Sequence, residues 1–397
     1  MIQTEINHAV DRRLHGRDLI CFGSSDWGPP LMPVHHLAEL WSTAMRVLYV
    51  EPPLASTAAN YRNYWSRKLV GWLTGPHRVA KNLFVYNSPP GLPFKRSIRG
   101  LNKLTQTFVF ASVARQMQRM EMKDPLICFT WPTQVDLLKF FPDNFKIYYV
   151  ADELREIPYG RGSVANAMDS ELSRSADLVV ATSAPVFQRR RDLAKRIHLI
   201  PNGIDFQLFG NENKRKRKIP PDLEGIPRPI VGFSGAIDSR VDFSLLRFLA
   251  QRHRQCSFVL NGPARVSLKS LQHLSNFYYL GMKPVESLPN YIAAYDVCLI
   301  PYQLNEYTRA LSPLKFWEYL SLGKPVVSTP ISACLDYPEM IYIAGSHEEF
   351  SQALTEALEE NNVERRGARI ELAKGNTWES RMVQMSQLMA DAIKERG

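Results

Sequence analysis

The sequence predicts two α/β domains in series, each a parallel sheet wound on both faces by helices. Three observations carry this. A chain of 397 residues is too long for one ordinary hydrophobic core. Short apolar runs rich in Val, Ile, Phe and Tyr alternate with helical stretches, which is the pattern of buried parallel strands. The alternation breaks once, at "NENKRKRKIPPDLEGIPRP", a polar, charged and Pro-rich stretch of linker composition. The expected divisions are a first domain over 1–205, a linker over 206–228 and a second domain over 229–376.

In the first series the strand candidates are "LICF" (19–22), "VLYV" (47–50), "LFVY" (83–86), a second "LICF" (126–129), "IYYV" (147–150), "LVVA" (178–181) and "IHLI" (197–200). The second series is "IVGF" (230–233), "SFVL" (257–260), "FYYL" (277–280), "VCLI" (297–300), "VVS" (326–328) and "IYIA" (341–344). Ligands of such sheets sit beyond the carboxyl ends of the strands, and with two domains a shared cleft is the expected site.

Composition narrows the class. No run approaches the roughly 20 apolar residues that span a bilayer, and "MIQTEINHAVDRRLHGRDLI" has acids and no apolar centre, unlike a signal peptide. Cys21, Cys128, Cys256, Cys298 and Cys334 form no Cys-x-x-Cys pair and read as reduced core residues of a cytoplasmic protein. The nine His residues show no metal spacing, so no metal is expected. The net charge of +10 is uneven: residues 52–120 hold eleven Lys and Arg and no acid. There Arg62, Arg67, Lys68, Lys95, Arg96 and Arg99 interleave with Tyr61, Trp65 and Trp72. The pattern is open to a nucleic-acid surface, a membrane-facing one or a solvated helix face over core aromatics; the expectation is an anionic membrane surface and no nucleic acid. The runs "RRR" (189–191) and "KRKRK" (214–218) read as solvated faces or linker.

The strand ends carry the candidate chemistry. "SPLKFWEYLSLGKPVVSTP" (312–330) opens a helix with Ser312 as the expected cap and Pro313 at its first position, and closes it at Gly323. Ser312, Lys315 and Glu318 are spaced by three and share one face. Free N–H groups, the macrodipole and an ammonium make a diphosphate site, and Glu318 is an acceptor for ribose hydroxyls. Upstream, "GFSGAIDSRVDFSLL" gives a strand, a turn and a helix, with Gly232 and Gly235 allowing close backbone approach and Arg240 as its cation. In the first domain "GSSDWGPP" puts Ser25, Asp26 and Trp27 after the first strand. It lacks Gly-x-Gly-x-x-Gly, which speaks against a nicotinamide enzyme. "ADELREIPYG" places Asp152 and Glu153 at a strand end, and Asn202-Gly203 reads as a turn at the domain crossing.

Together "IPNGID", "GFSGAID", "NGP", "YLG", "LPNYIAAYDVCLIPY" and "SPLKFWEYLSLGKPVVSTP" resemble the GT-B glycosyltransferases of the large glycosyltransferase 4-type group. Within it, "HHLAELWSTAMRVLYVEPP", "YYVADELREIPYG" and "ELSRSADLVVATS" are similar to the teichuronic-acid-type exopolysaccharide transferases. The resemblance implies two doubly wound Rossmann-like domains facing a central cleft, with a terminal helix, 377–397, packing back on the first. It implies a nucleotide-sugar donor on the second domain, an acceptor on the first, and no metal or cofactor. Glu318 matches the second acid of the family's paired-glutamate motif, while Ala310 stands at the first; Asn305 and Thr308 are its expected substitutes. The expected donor contacts are thus Gly235, Arg240, Asn305, Thr308, Ser312, Pro313, Lys315 and Glu318. Asp152 is the candidate base, with Ser25, Asp26, Trp27 and Glu153 on the acceptor side.

The resulting expectation is a metal-independent hexosyltransferase, cytoplasmic and peripheral on the inner face of the cell membrane. It builds a surface polysaccharide on a saccharide acceptor that is itself lipid-linked. The rivals are a GT-B nucleotide-sugar epimerase and a catalytically silent sugar-nucleotide-binding assembly subunit.

Overall fold

Every run expected as a strand is one, because each is short and branched or aromatic, and the central ones are buried on both faces. The structure is a computed structural model that describes residues 10–29, 31–53, 61–92, 97–153, 163–210 and 218–396, the side chains of 61–65 and 163 excepted. It divides into two compact units, Met1–Pro201 with Trp378–Gly397, and Asn202–Thr377. The crossing "NGID" therefore belongs to the second unit.

The first unit holds β1 (Asp18–Phe22), β2 (Arg46–Glu51), β3 (His77–Ala80), β4 (Leu83–Asn87), β5 (Leu126–Phe129), β6 (Lys146–Val150), β7 (Leu178–Ala181) and β8 (Ile197–Leu199). Their order is β3-β4-β2-β1-β5-β6-β7-β8. All pairs are parallel except β3 with β4. The sequence reading missed β3, whose "HRVA" is exposed throughout and carries no burial signal. The helices that matter below are α1 (Pro33–Trp41), α2 (Tyr61–Thr74), α3 (Arg99–Arg119), α4 (Ser163–Ser175) and α5 (Ala184–Gln188). Ile20, Phe22, Leu48, Val50, Ile127, Phe129, Tyr148 and Val150 form the core on one side of the sheet. The terminal helix Trp378–Arg396 lies in this unit, held by the stack of Trp378 on His36 at 5.0 Å and the Arg396–Asp177 ion pair at 3.0 Å.

In the second unit β9 (Ile230–Ser234), β10 (Ser257–Asn261), β11 (Phe277–Tyr279), β12 (Val297–Ile300), β13 (Val326–Ser328) and β14 (Tyr342–Ile343) form one parallel sheet, ordered β11-β10-β9-β12-β13-β14. Helices α6 (Phe243–Arg252), α7 (Leu314–Ser321) and α8 (Val363–Lys374) flank it. The strand order reverses at β9/β12 here and at β1/β5 in the first unit, the positions where such sheets open a crevice at their carboxyl ends. All five cysteines are buried and free. Gly323 ends α7 as expected, with φ +66°, and a Cβ there would also lie 2.7 Å from Arg366 Cγ on α8.

One basic run is corrected. Arg190, expected on a solvated face, is fully buried just past α5. It donates to Asp169 Oδ2 at 2.9 Å and pairs with Glu153 at 3.4 Å, while Tyr148 Oη donates to Asp169 Oδ1 at 2.7 Å. This network ties α4, α5 and the end of β6 together. Replacing Arg190 by Leu leaves the buried Asp169 without its cation and Glu153 with Arg189 alone. It should destabilise the first unit by about 3–5 kcal/mol in urea unfolding, and an effect under 1 kcal/mol would show the network to be solvated.

Candidate functional site

In the second unit three strand ends converge on one ammonium. Lys315, the second residue of α7, is 7% exposed. Its Nζ donates to Tyr302 Oη at 2.9 Å and sits 3.9 Å from the centroid of the Phe233 ring. Phe233 comes from β9, and Tyr302 follows β12. Among the described residues Lys315 makes no ion pair, so its charge is met by π faces and one hydroxyl. Gly235 has φ +137°, and a Cβ there would lie 2.7 Å from Lys315 Nζ; glycine leaves that space to the ammonium. The Gly235 N–H donates to the Asn261 carbonyl at 2.9 Å, fixing the turn to β10. Gly232, read beside it as a ligand-approach glycine, serves packing instead: a Cβ there would run into the Tyr295 ring.

Helix α7 starts at Leu314, with Pro313 in the capping position and no side-chain cap. Ser312 is therefore not the cap. It is buried, and its carbonyl accepts from Asn202 Nδ2 at 2.7 Å, so Asn202 does more than make a turn. The helix start keeps unsatisfied N–H groups beside Lys315. Glu318, one turn along, is half-buried by surface area. Burial pushes its carboxyl up to about 7, with the Lys315 charge opposing the rise.

The remaining donor candidates are differently placed. Arg240 gives Nε and Nη2 to Asp238 at 2.9 and 2.7 Å, so its charge is already compensated. Thr308 is fully buried and braces its own loop: its hydroxyl donates to the Gln303 carbonyl, and its N–H donates to Asn305 Oδ1 at 2.9 Å. Thr308 has no surface for a sugar, whereas Asn305 is exposed. Ala310 is buried.

In the first unit Asp152 is half-buried just past β6. Glu153 is fully buried and paired with Arg190 and Arg189, which removes it from the acceptor side. Asp26 accepts from Lys68 Nζ at 2.5 Å, and Lys68 also donates to Glu51 at 2.6 Å. The Trp27 N–H donates to Glu51 Oε1 at 2.8 Å, and Asn87 Nδ2 donates to Glu51 Oε2. His35 completes the cluster. Its Nδ1 accepts from the Met32 N–H at 3.1 Å, so Nε2 carries the proton toward Tyr49 Oη at 3.0 Å and Ser25 Oγ at 3.1 Å. Burial, then the charge of His36, lowers its pKa to about 4, and the imidazole is neutral. Beside the cluster, at the ends of β1, β2 and β5, Ser24, Glu51, Gln106, Trp131, Thr133 and Gln134 line a hollow.

The sequence reading placed Ser25, Asp26 and Trp27 here but missed Glu51, His35 and Lys68. Glu51, the last residue of β2, carried the one readable signal. Lys68 had been assigned to the membrane-facing set but is 2% exposed. Arg99 likewise turns inward, to Asp136 at 2.8 Å and Glu171 at 2.9 Å. Trp72 is half-buried and donates to Ser112 Oγ at 2.8 Å. Lys95, Arg96 and the side chains of Tyr61, Arg62 and Trp65 lie outside the described residues.

Comparison with known proteins follows these divisions. Residues 228–360, within the second unit, match the family described as Glycosyl transferases group 1. Over 179 residues the chain is 31% identical to a protein of Bacillus subtilis (strain 168) described as a teichuronic acid biosynthesis glycosyltransferase, TuaH. That match spans 43% of this chain and 44% of the relative, less than half of either. Sucrose-phosphate synthase of Thermosynechococcus elongatus is 16% identical with a TM-score of 0.70, covering 96% of this chain and 100% of that one. HepE of Anabaena, solved with UDP and glucose, is 16% identical with a TM-score of 0.66 over the same shares. These likenesses show the fold: it is GT-B, with two Rossmann-like domains.

The raised Glu318 pKa has a measurable consequence. Between 4.5 and about 7 the folded protein holds a proton that the unfolded chain has lost. The contribution of Glu318 to stability therefore falls as pH rises through this window and is flat above it. Thermal unfolding of Glu318→Gln against wild type should show the variant gaining relative stability from pH 5 to pH 7; parallel curves would mean an ordinary, solvated carboxyl.

Proposed function

We propose that the protein is a glycosyltransferase that moves a sugar from a nucleoside-diphosphate sugar to a saccharide acceptor in the assembly of a surface polysaccharide. The single observation that carries this is the unpaired Lys315 ammonium at the start of α7, inside the segment that matches the glycosyl transferases group 1 family. A buried cation that makes no ion pair among the described residues suits a diphosphate, whose developing charge it would stabilise. Glu318 takes the ribose hydroxyls. Gly235 and the α7 N–H groups approach the phosphates, and Arg240 contributes more weakly because Asp238 shares its charge. The relatives are in keeping: one is named for teichuronic acid biosynthesis, and HepE was solved with UDP and glucose.

On this reading the acceptor is a saccharide held by the first unit, and Asp152 takes the proton of the attacking hydroxyl. The leaving diphosphate is stabilised by protein groups, without a metal or cofactor. Among the described residues no three His, Cys, Asp or Glu side chains are grouped to hold a metal ion. The acceptor is lipid-linked, so the enzyme works on the inner face of the membrane. No described helix is long and apolar enough to cross one.

A second reading, a silent sugar-nucleotide-binding subunit, has Ala310 and the Asp238–Arg240 pair in its favour. Release of nucleoside diphosphate on adding acceptor decides between them.

Calorimetric titration with nucleoside diphosphates should show Lys315→Ala binding about 1–3 kcal/mol more weakly than wild type. Affinity should rise with pH through about 7 as Glu318 ionises, and Glu318→Gln should flatten that rise. Unchanged affinity in both variants sinks the site. Asp152→Asn should keep donor affinity and lose transfer by roughly 100-fold or more; near-normal turnover assigns the proton to another group.

A further inference from the structure

The segment without acids does not present the surface that its composition suggested. Two of its cations, Lys68 and Arg99, are turned inward into ion pairs. Beside its remaining exposed cations it also exposes large apolar side chains. On α2, Leu69, Val70 and Leu73 are 41%, 57% and 67% exposed; on α3, Leu104 and Phe108 are 53% and 60% exposed. The two helices are neighbours running the same way. Trp72 Nε1 donates to Ser112 Oγ at 2.8 Å, and three residues on, a Cβ at Gly75 would lie 3.5 Å from Gln116 Oε1 and 3.9 Å from Arg119 Nη1. One turn back along both, Leu69 is level with Phe108. At 100° per residue Leu69 and Leu73 lie on α2 between Trp72, which touches α3, and the outward Val70. The apolar side chains thus form one strip across both helices.

Helix α3 is inverted for a water-facing helix. Its buried face is Asn102, Thr105, Gln106, Ser112 and Gln116 with two valines, while Leu104, Phe108 and Ala111 face outward. A contiguous exposed apolar strip marks an interaction surface. Its charge selects the occupant. Arg67, with 71% of its side chain exposed, borders the strip on α2, and Lys103 and Arg115 border it on α3. No acid occurs from 52 to 120, and the ion pair of Arg67 with Asp26 at 3.9 Å leaves 71% of the Arg67 side chain exposed. A second copy would set these cations against their own kind, whereas anionic headgroups complement them.

We infer that the outward face of α2 and α3 docks on an anionic membrane by inserting Leu69, Val70, Leu73, Leu104 and Phe108 among the lipids, with Arg67, Lys103 and Arg115 at the headgroups. The inference rests on the reading above for its purpose, since it brings the first unit to a lipid-linked acceptor. Shallow insertion of an apolar helix face, with basic residues at its rim, is sufficient for reversible attachment without a spanning helix.

The test is flotation of the full chain with vesicles of one part phosphatidylglycerol to two parts phosphatidylcholine, against phosphatidylcholine alone. Wild type should float with the anionic vesicles and far less with the neutral ones. Leu73→Gln with Phe108→Gln should lose about tenfold or more in partition at every salt concentration. Arg67→Gln with Lys103→Gln and Arg115→Gln should lose about tenfold or more at low salt and approach wild type at high salt. All lie on the surface, and unchanged melting temperatures confirm folding. Failure of wild type to float at low salt overturns the inference, as does an apolar variant that floats like wild type. A wild-type dimer in sedimentation velocity that the apolar variant dissolves would assign the face to a second copy instead. Titration with UDP and GDP separates the two readings. Protein that floats but binds neither nucleotide keeps this surface and loses the transferase; protein that binds but does not float does the reverse.

Discussion

A buried lysine without a carboxylate is the constraint around which the second unit is arranged. Moving an ammonium out of water costs several kcal/mol unless other groups meet its charge. Here the compensation comes from the Phe233 face, the Tyr302 hydroxyl and the adjacent negative side of the Tyr302 ring, 5.1 Å from Nζ. Each is worth on the order of 1–2 kcal/mol in a desolvated setting, so compensation is partial, and an anion would complete it. The backbone follows from the same demand. Gly235 lacks a Cβ because the ammonium occupies that direction. Gly262 lacks one because a Cβ there would strike the Gly235 carbonyl. The parallel register that pairs Asn261 with Ser234 brings both turns to one level.

Regular elements were readable because their signals are local. A buried parallel strand needs only a run such as "VCLI", and α7 announced itself by Pro313 and Gly323. Lys315 and Glu318 were readable for the same reason: helical spacing fixes their common face whatever surrounds them. What failed to show was the direction of side chains with distant partners. Arg190 sits in a run of three arginines and gives no sign that Asp169 and Glu153 will enclose it. Lys68 looked like one more cation of a basic segment, yet Asp26 and Glu51, 42 and 17 residues away, turn it inward. Arg240 is the contrasting case, since Asp238 two residues before it was visible and does take its charge. His35 gives no sign of its own in a set of histidines without metal spacing. Its role needs no metal and depends on Tyr49 and Ser25, which only the fold brings to it.

Strand β3 shows the limit from the other side. An exposed four-residue edge strand has neither alternation nor an apolar run, and it exists because β4 offers a free edge to pair with. The polar inner face of α3 is a related case. Asn102 Nδ2 donates to the Thr133 carbonyl at 2.7 Å and to Asp136 at 2.6 Å, so the helix is seated by hydrogen bonds as much as by apolar contact. Apolar periodicity alone would have turned that helix over, with Leu104 and Phe108 inside.

The two units differ electrostatically in a way that divides the chemistry between them. Around the strand ends of the first unit the buried cations are neutralised: Lys68 by Asp26 and Glu51, Arg190 by Asp169 and Glu153. His35 is held neutral by burial. The polar groups of the hollow beside them are engaged as well: Gln134 donates to the Phe22 and Gly23 carbonyls and accepts from the Thr130 and Trp131 N–H groups, and Glu51 is held by Lys68, Asn87 and the Trp27 N–H. Such a surface gives a diphosphate no uncompensated positive charge. In the second unit the order is reversed, with a cation that is only partly compensated, Lys315, beside a helix start. On the proposed reading, an anionic donor would thus be drawn to the second unit by charge before shape discriminates between sugars.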